Sequence, residues 1–155
     1  MRDAEALSHV RAAFGTIARP AQFTNRSHCC ECAEHDDLLA SRDLDSLALE
    51  DVGNAGWDPI CFATDEAFMY FFPALARLAL DEPGHQGWYF EQLLFHLTYE
   101  DAANRRLRAA TPVQRRAVLS LLRHVGATRS ARLREYRCEE RLDQALRVWS
   151  LPGQV

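Results

Sequence analysis

The segment Thr111-Pro112-Val113-Gln114 gives the clearest local signal for helical structure in this chain of 155 residues. A threonine, a proline at the first helical position and a glutamine three residues after the threonine together form the pattern of a capping box. Apolar residues follow at helical spacing and are expected to form a buried face: Val113, Ala117, Leu121 and Val125. Gly126 is expected to end this helix.

The last predicted helix, about 130–149, carries a second apolar face. Its apolar residues are Cys138, Leu142, Ala145 and Trp149. Because each helix must cover its apolar face, we expect the two helices to pack together. The packing residues are expected to be Leu121, Val125, Leu142 and Trp149.

Spacing and cap residues predict further helices at about 2–17, 28–40, 44–52 and 88–98, and one that starts after the N-cap Thr64. Pro73 should either kink this last helix or start a new one. Gly53 suits a left-handed helix end. Residues 60–62 are the only strand candidate. The sequence therefore predicts a mainly α, compact, single-domain helical bundle over residues 1–155, with at most one short strand pair.

The composition favours a globular protein outside the membrane, with 48% hydrophobic and 26% charged residues. The longest apolar run, 67–80, is interrupted by Pro73 and Arg77, so no membrane span is expected. Acidic residues at Asp3 and Glu5 stand where a signal peptide would need a basic start. The expected location is the cytoplasm.

Charge is divided unevenly along the chain. Residues 1–100 carry seventeen acids and six arginines, whereas residues 101–155 carry twelve arginines and five acids, which gives net charges of −11 and +7. Internal pairing between the two parts is the expected explanation. Nucleic-acid binding through the arginines between Arg105 and Arg147 is not expected, since they form no known reading motif and the acidic part repels phosphate.

Part of the chain resembles a family of small uncharacterised bacterial proteins. The resemblance lies in the pattern Thr64-x-Glu66-Ala67-Phe68-x-Tyr70-x-x-Pro73-Ala74 within residues 59–75, and it continues in residues 111–118 and 145–149. It covers roughly the last two thirds of the chain. It implies a helical fold and no activity, and it assigns no functional residue.

The run from His28 to His35 predicts a zinc site. Thiolate and imidazole are the commonest zinc ligands, and Cys29-x-x-Cys32-x-x-His35 offers three of them directly after His28. On one helix His28, Cys32 and His35 would share a face with Cys29 beside them, whereas Cys30 would point away. Four ligands from one straight helix fit a tetrahedron poorly. The site should therefore begin in a loop at 28–29 or take a ligand from elsewhere, the available donors being Cys61, His85, His96 and Cys138.

Two other interpretations of this run remain open. The first is a reduced, half-buried thiol cluster with two solvated histidines. The second is a redox pair at Cys29 and Cys32, although a thioredoxin-like pair follows a strand in a βαβ unit, which the sequence does not show. Disulfide bonds to distant cysteines are not expected, because the five cysteines are odd in number and three lie within four positions.

Two classes of function follow from these features. The preferred hypothesis is a non-catalytic protein-binding module, similar to an immunity protein or antitoxin, that binds a basic partner such as a toxin. It rests on the segment 31–51, which holds eight acids and one arginine. The residues expected to meet the partner are Asp36, Asp37, Asp43 and Asp45. The alternative is a metal-dependent enzyme that uses residues 28–35, with Glu31 or Glu34 as the acid or base.

Overall fold

The computed structural model describes residues 1–153, which form ten α-helices and two short 3-10 helices and are 67% helical. The 3-10 helices are Ala55–Trp57 and Asp101–Ala103. The α-helices are α1 (Asp3–Phe14), α2 (Cys30–Ala40), α3 (Leu49–Val52), α4 (Pro59–Phe62), α5 (Asp65–Leu80), α6 (Tyr89–Thr98), α7 (Arg105–Ala109), α8 (Pro112–Thr128), α9 (Ser130–Glu135) and α10 (Glu139–Trp149). Strand-type pairing among the described residues is limited to two isolated bridges, at Thr24–Ala63 and Gly84–Gly87. The predicted mainly α bundle is confirmed.

Helix α5 lies at the centre of the core. Twelve of its sixteen residues are buried, and it packs against α1, α6 and α7. The Thr64 hydroxyl caps its first turn by accepting a hydrogen bond from the Ala67 N–H at 3.1 Å. The helix continues through Pro73 without a break, so this proline does not start a new helix. Because α5 is apolar on nearly every side, the other helices must surround it.

In residues 1–153, no helix combines the length and the apolar character that crossing a bilayer requires.

Helix α8 begins with the predicted capping box. The Thr111 hydroxyl accepts from the Gln114 N–H at 3.2 Å, and the Gln114 side chain accepts from the Thr111 N–H at 2.9 Å. Helices α8 and α10 pack together, and the four expected packing residues are all buried. The Trp149 indole also donates to the Leu97 carbonyl at 2.9 Å. Val113 was expected to be buried, and this prediction is wrong because the residue is 52% exposed.

Substitution of Thr111 by alanine should lower the free energy of unfolding by about 1 kcal/mol, since it removes the acceptor that caps α8. Urea denaturation of the wild type and the variant measures this difference. Val113→Ala, in the same turn but exposed, is the control and should change stability by less than about 0.5 kcal/mol. A Thr111→Ala variant as stable as wild type would contradict the capping role.

The predicted strand at residues 60–62 is wrong, since these residues lie in α4. Asp58 caps this helix by accepting from the Ile60 N–H at 2.9 Å, and Pro59 occupies its first position. The predicted helix at 44–52 is limited to α3. Its expected first residues instead form a turn, in which the Asp43 carboxylate accepts from the Asp45 and Ser46 N–H groups.

Two expected helix ends and one expected continuous helix also differ from the structure. Gly53 ends α3 with a φ of −78°, so it is right-handed and not left-handed. Gly126 lies inside α8, where an added Cβ would approach the Leu142 side chain to 3.4 Å. The last helix is divided into α9 and α10 at Arg137, whose φ of 54° interrupts the helical backbone.

Ion pairs join the acidic and basic parts of the chain, as the charge distribution predicts. Arg129 and His124 both contact the Asp3 carboxylate, at 2.6 and 2.7 Å. These hydrogen bonds, chiefly that from Arg129, lower the pKa of Asp3 to about 2. Further pairs join Asp65 to Arg106 and Glu82 to Arg132. The contacts of Asp3 hold the start of α1 against α8 and α9.

Candidate metal centre

Three of the four predicted zinc ligands come together where the loop after Asn25 enters α2. One ligand atom from each of His28, Cys29 and Cys32 lies within 4.8 Å of the other two. His28 and Cys29 precede the helix, and Cys29 has extended backbone angles as the N-cap residue of α2. Its sulfur accepts a hydrogen bond from the Cys32 N–H at 3.4 Å. His28 and Cys29 thus lie in the loop before α2, which is one of the two arrangements expected for a site, and zinc binding itself stays a prediction.

The distances within this group match the edges of a zinc tetrahedron. Zinc–sulfur bonds of about 2.3 Å and zinc–nitrogen bonds of about 2.0–2.1 Å would place two sulfurs about 3.8 Å apart and sulfur about 3.6 Å from nitrogen. The Cys29 and Cys32 sulfurs are 3.4 Å apart, and Cys32 Sγ lies 3.6 Å from His28 Nδ1. These two distances are within a few tenths of an ångström of the tetrahedral edges, and the ligand atoms of the third pair, Cys29 and His28, lie within 4.8 Å of each other.

The two thiols differ in exposure and in acidity. Cys29 is exposed, and hydrogen bonds from the Cys32 backbone and the His28 side chain lower the pKa of its thiol to about 7. Cys32 is buried, and both its contact with Cys29 and its burial raise the pKa of its thiol. Cys29 is thus the thiol that ionises first and the first to be available to a metal ion.

The chain was compared with known families, curated proteins and solved structures. No match was found in any of them. The resemblance to a family of small uncharacterised bacterial proteins stays a prediction.

His35, the fourth predicted ligand, is not part of the group of three. Its side chain is 1% exposed and lies against the rings of Trp57 and Phe62, each with a centroid distance of 4.7 Å. Neither ring nitrogen has a hydrogen-bond partner among residues 1–153, and the nearby Glu31 carboxylate lies 3.5 Å from Nε2. The expectation of a shared helix face was wrong because α2 starts only at Cys30, so His28 is not on the helix.

The structure also shows where Cys30, which was expected not to bind zinc, and the four donors considered from elsewhere in the chain lie. Cys30 is exposed in the first turn of α2 and does not belong to the group. None of the outside donors considered, Cys61, His85, His96 and Cys138, belongs to it either. Within the described chain the group thus offers three ligands, and two of them, His28 and Cys29, face solvent.

Asp36 was expected on a partner-binding surface, but it is 4% exposed. Its carboxylate accepts from the Phe23 and Thr24 N–H groups at 2.7 and 2.9 Å and pairs with Arg26 at 2.6 Å. Burial raises the pKa of Asp36, but these hydrogen bonds outweigh it and hold the pKa below its usual value. Asp36 therefore holds the loop before His28 against α2.

The other three aspartates of the expected partner surface are exposed. Asp37 has 69% of its side chain exposed and pairs with Arg26 at 3.0 Å. Asp43 and Asp45 lie in the exposed turn between α2 and α3. Hydrogen bonds from Ser46 and from the Asp45 N–H lower the pKa of Asp43, so its carboxylate is charged at neutral pH.

A second group of ligand-type residues was not predicted as a site. One ligand atom from each of Asp58, Cys61 and His96 lies within 4.8 Å of the other two. Asp58 Oδ2 accepts from His96 Nε2 at 2.7 Å and from Gln92 Nε2 at 2.6 Å. A metal bonded to both the carboxylate and the imidazole would hold these atoms about 3.4 Å apart. The observed distance is that of a hydrogen bond, so this group fits a buried polar network better than a metal centre.

This network borders a cavity of about 560 Å³ between α4 and α6. Tyr89 is one of the residues that line this cavity. Its hydroxyl is buried and has no hydrogen-bond partner among the described residues. Burial, with the negative charge of Asp58, raises the pKa of Tyr89 well above 10. Burial and the same carboxylate raise the pKa of Cys61 to about 11, so Cys61 is a poor nucleophile. An Asp-Pro cap before Ile60, with Gln92 and His96 four residues apart, is the sequence signal for this network.

Proposed function

We propose that this protein binds one zinc ion through His28, Cys29 and Cys32, and that the ion has a structural role. The single observation behind the proposal is the spacing of two sulfurs and one nitrogen at the edges of a tetrahedron. The low pKa of Cys29 supports it further, because zinc binds the thiolate. Reduced thiol ligands suit the cytoplasm, which we propose as the location.

The fourth coordination position is proposed to be open. His28 and Cys29 are exposed, so water or a side chain of a partner protein can reach an ion held between them. Three protein ligands with one open position also occur in catalytic zinc sites. Glu31, a candidate acid or base, instead lies beside His35, and Glu34 is exposed one turn into α2. Their positions favour the non-catalytic role over the alternative of a metal-dependent enzyme.

The proposed effect of zinc is to fasten the loop of residues 25–29 to α2. His28 and Cys29 lie before the helix and Cys32 lies within it, so one ion would bridge the two segments. Two contacts already hold Thr24, the residue just before this loop, to α2, namely the bond from its N–H to Asp36 and the bond from its hydroxyl to the Cys32 carbonyl at 2.6 Å. Zinc would add its binding free energy to the stability of this region.

Protein purified untagged, reduced and without chelator should carry about one zinc per chain by mass spectrometry of the metal. Cys32→Ser should reduce the zinc content to background, because the exposed Cys29 and His28 alone make a weak site. Cys30→Ser is the matched control, since Cys30 lies between the two ligands but outside the group, and should keep the metal.

Added zinc should raise the melting temperature of the wild type and of Cys30→Ser, but not that of Cys32→Ser. Circular dichroism of the zinc-free proteins shows whether each variant is folded. Reduced wild-type protein without stoichiometric zinc, or equal zinc in Cys32→Ser, would contradict the proposal. In the first of these two outcomes, Cys29 and Cys32 would be reduced thiols that bind no metal.

A second proposed function is binding of a basic protein partner, as an immunity protein or antitoxin binds a toxin. The observation that favours it is the exposure of Asp37, Asp43 and Asp45 on and directly after α2. Exposed carboxylates attract a basic partner over a distance of about 10 Å at moderate salt. Asp36 is excluded from this surface because its carboxylate is buried.

Substitution of Asp37, Asp43 and Asp45 by lysine should lower the association rate with such a partner. Added salt should also lower the association rate of the wild type. The measurement is surface plasmon resonance with a partner first captured from cells by the wild-type protein. Arg11→Glu, a charge reversal at an exposed position on α1, is the control. Unchanged association of the triple variant would exclude this surface.

A further inference from the structure

We infer that Cys29 and Cys32 form a redox-active dithiol that reduces a substrate disulfide and becomes an internal disulfide. The inference uses the same two sulfurs as the proposed zinc site, and it holds for the zinc-free protein as well. A dithiol of this kind needs one accessible thiol that attacks the substrate and a second thiol within reach of the first. The structure places the two cysteines in these roles.

The first requirement is met by Cys29. It is exposed at the N-cap position of α2, so a substrate disulfide can reach its sulfur from solvent. Cys32 is buried with 6% of its surface exposed, so it is protected from direct attack by a bulky disulfide. The two thiols of the pair are therefore distinguished by access alone.

The second requirement is met by the distance between the two sulfurs, which is 3.4 Å. A disulfide bond is about 2.05 Å long, so the sulfurs must approach by roughly 1.4 Å. Cys29 lies outside the helix on extended backbone, which leaves its side chain room to turn toward Cys32. Cys30 is exposed and is not a member of the close group, so it is not the partner.

The reaction proceeds in two exchange steps. The Cys29 thiolate attacks one sulfur of the substrate R–S–S–R, which forms a mixed disulfide and releases one thiolate, RS⁻. The Cys32 sulfur, after loss of its proton, then attacks Cys29 Sγ, and the second RS⁻ leaves. Two electrons pass from the protein to the substrate. The products are one internal disulfide and, once each thiolate is protonated, two molecules of RSH.

The sequence alone argued against a redox pair, because residues 1–28 show no βαβ unit. The described residues before α2 do form helix α1 and a loop, with no strand beyond the isolated bridge at Thr24. An accessible thiol and a second thiol within its reach nevertheless depend only on the residues around the start of α2. Cys29 at the N-cap and Cys32 in the first turn of α2 come within 3.4 Å of each other here without a preceding strand.

The reaction would also remove two zinc ligands at once. Thiolates bind zinc, whereas the sulfurs of a disulfide do not carry the charge that the ion requires. Oxidation of the zinc-loaded protein should therefore release the ion. Disulfide formation and zinc binding are mutually exclusive states of the same sulfurs.

The test uses full-length, zinc-free, reduced protein equilibrated with oxidised and reduced glutathione over a range of ratios. After acid quenching and alkylation in denaturant, intact mass shows the number of free thiols. Reduced protein should take up five alkyl groups, since all five cysteines are free, and oxidised protein should take up three. The Cys30→Ser variant should take up four and two, which excludes Cys30 from the disulfide.

Removal of the second thiol should stop the reaction halfway. Cys32→Ser should retain one glutathione at Cys29, located by peptide mass, whereas the wild type should retain none at Cys29. Cys29→Ser should form no internal disulfide under native conditions, because the accessible thiol of the pair is gone and Cys32 is buried. If Cys32→Ser fails to fold by circular dichroism, Cys32→Ala replaces it, and the Cys30→Ser result stands independently.

Five free thiols in the wild type at every glutathione ratio would overturn the inference. Loss of the disulfide in Cys30→Ser, or a wild type that keeps glutathione at Cys29 as a mixed disulfide, would also overturn it. Zinc content is measured separately in fully reducing buffer. A protein that binds zinc but forms no disulfide supports the zinc proposal and excludes this one, and a disulfide without zinc binding does the reverse.

Discussion

Asp58→Ala is expected to lower the free energy of unfolding by about 3–5 kcal/mol. The Asp58 side chain is 1% exposed, and its carboxylate accepts from the Ile60 N–H, His96 and Gln92. Alanine would remove the cap of α4 and leave His96, which is buried in α6, without its acceptor, whereas the half-buried Gln92 would keep its bond to the Val52 carbonyl. Unsatisfied buried donors are costly because water cannot replace the lost partner.

Urea denaturation of Asp58→Ala beside Thr111→Ala tests this expectation. Both substitutions remove a helix cap, but Thr111 is an exposed position, so its loss should cost only about 1 kcal/mol. The difference between the two losses in unfolding free energy measures the contacts of Asp58 with His96 and Gln92. A cost for Asp58→Ala no larger than that for Thr111→Ala would show that His96 and Gln92 find other acceptors.

Asp36→Ala is expected to lower the free energy of unfolding by about 3 kcal/mol, because it leaves the Phe23 and Thr24 N–H groups without their acceptor and removes one of the two carboxylates that pair with Arg26. The neighbouring Asp37 is the matched control. Its side chain is 69% exposed, so Asp37→Ala should change stability by less than about 1 kcal/mol. Equal effects of the two substitutions would contradict the anchoring role of Asp36.

The Asp36 contribution should depend on pH in one direction. The folded-state pKa of Asp36 is lowered, so its stabilising effect is complete above the unfolded pKa of about 3.9 and disappears as the pH falls through the folded-state pKa. The stability difference between the wild type and Asp36→Ala should therefore be constant near neutral pH and shrink below about pH 4. A difference that grows on acidification would exclude this account.

Much of the fold is encoded in short-range patterns and could be predicted. The caps at Thr64 and Thr111 each use a side chain three residues from its partner, so neighbouring residues determine them. The burial of Leu142 and Trp149, on a helix that packs against α8, followed from apolar spacing. By contrast, the strand predicted at residues 60–62 failed because its apolar residues are too few to show a period. The Asp58-Pro59 cap before them was the better signal.

The candidate site was predicted only in part, for a similar physical reason. The ligand types and the short spacing identified His28, Cys29 and Cys32, which lie within five positions. His35 and Asp36 were misplaced because their surroundings are distant in sequence. Trp57 and Phe62 cover His35, and the Phe23 and Thr24 N–H groups neutralise the cost of burying Asp36. Spacing within one helix cannot report such partners.

The position of α1 has a consequence for synthesis on the ribosome. This helix packs against α5 on one side and α8 on the other, and its Asp3 carboxylate meets Arg129 just after α8. The chain emerges amino terminus first at about 5–20 residues per second, so the roughly 50 residues between the ends of α5 and α8 take about 2–10 seconds. Throughout that interval the apolar face of α1 that meets α8 stays uncovered. The nascent chain is then the state most exposed to chaperones, and to aggregation where chaperones are scarce.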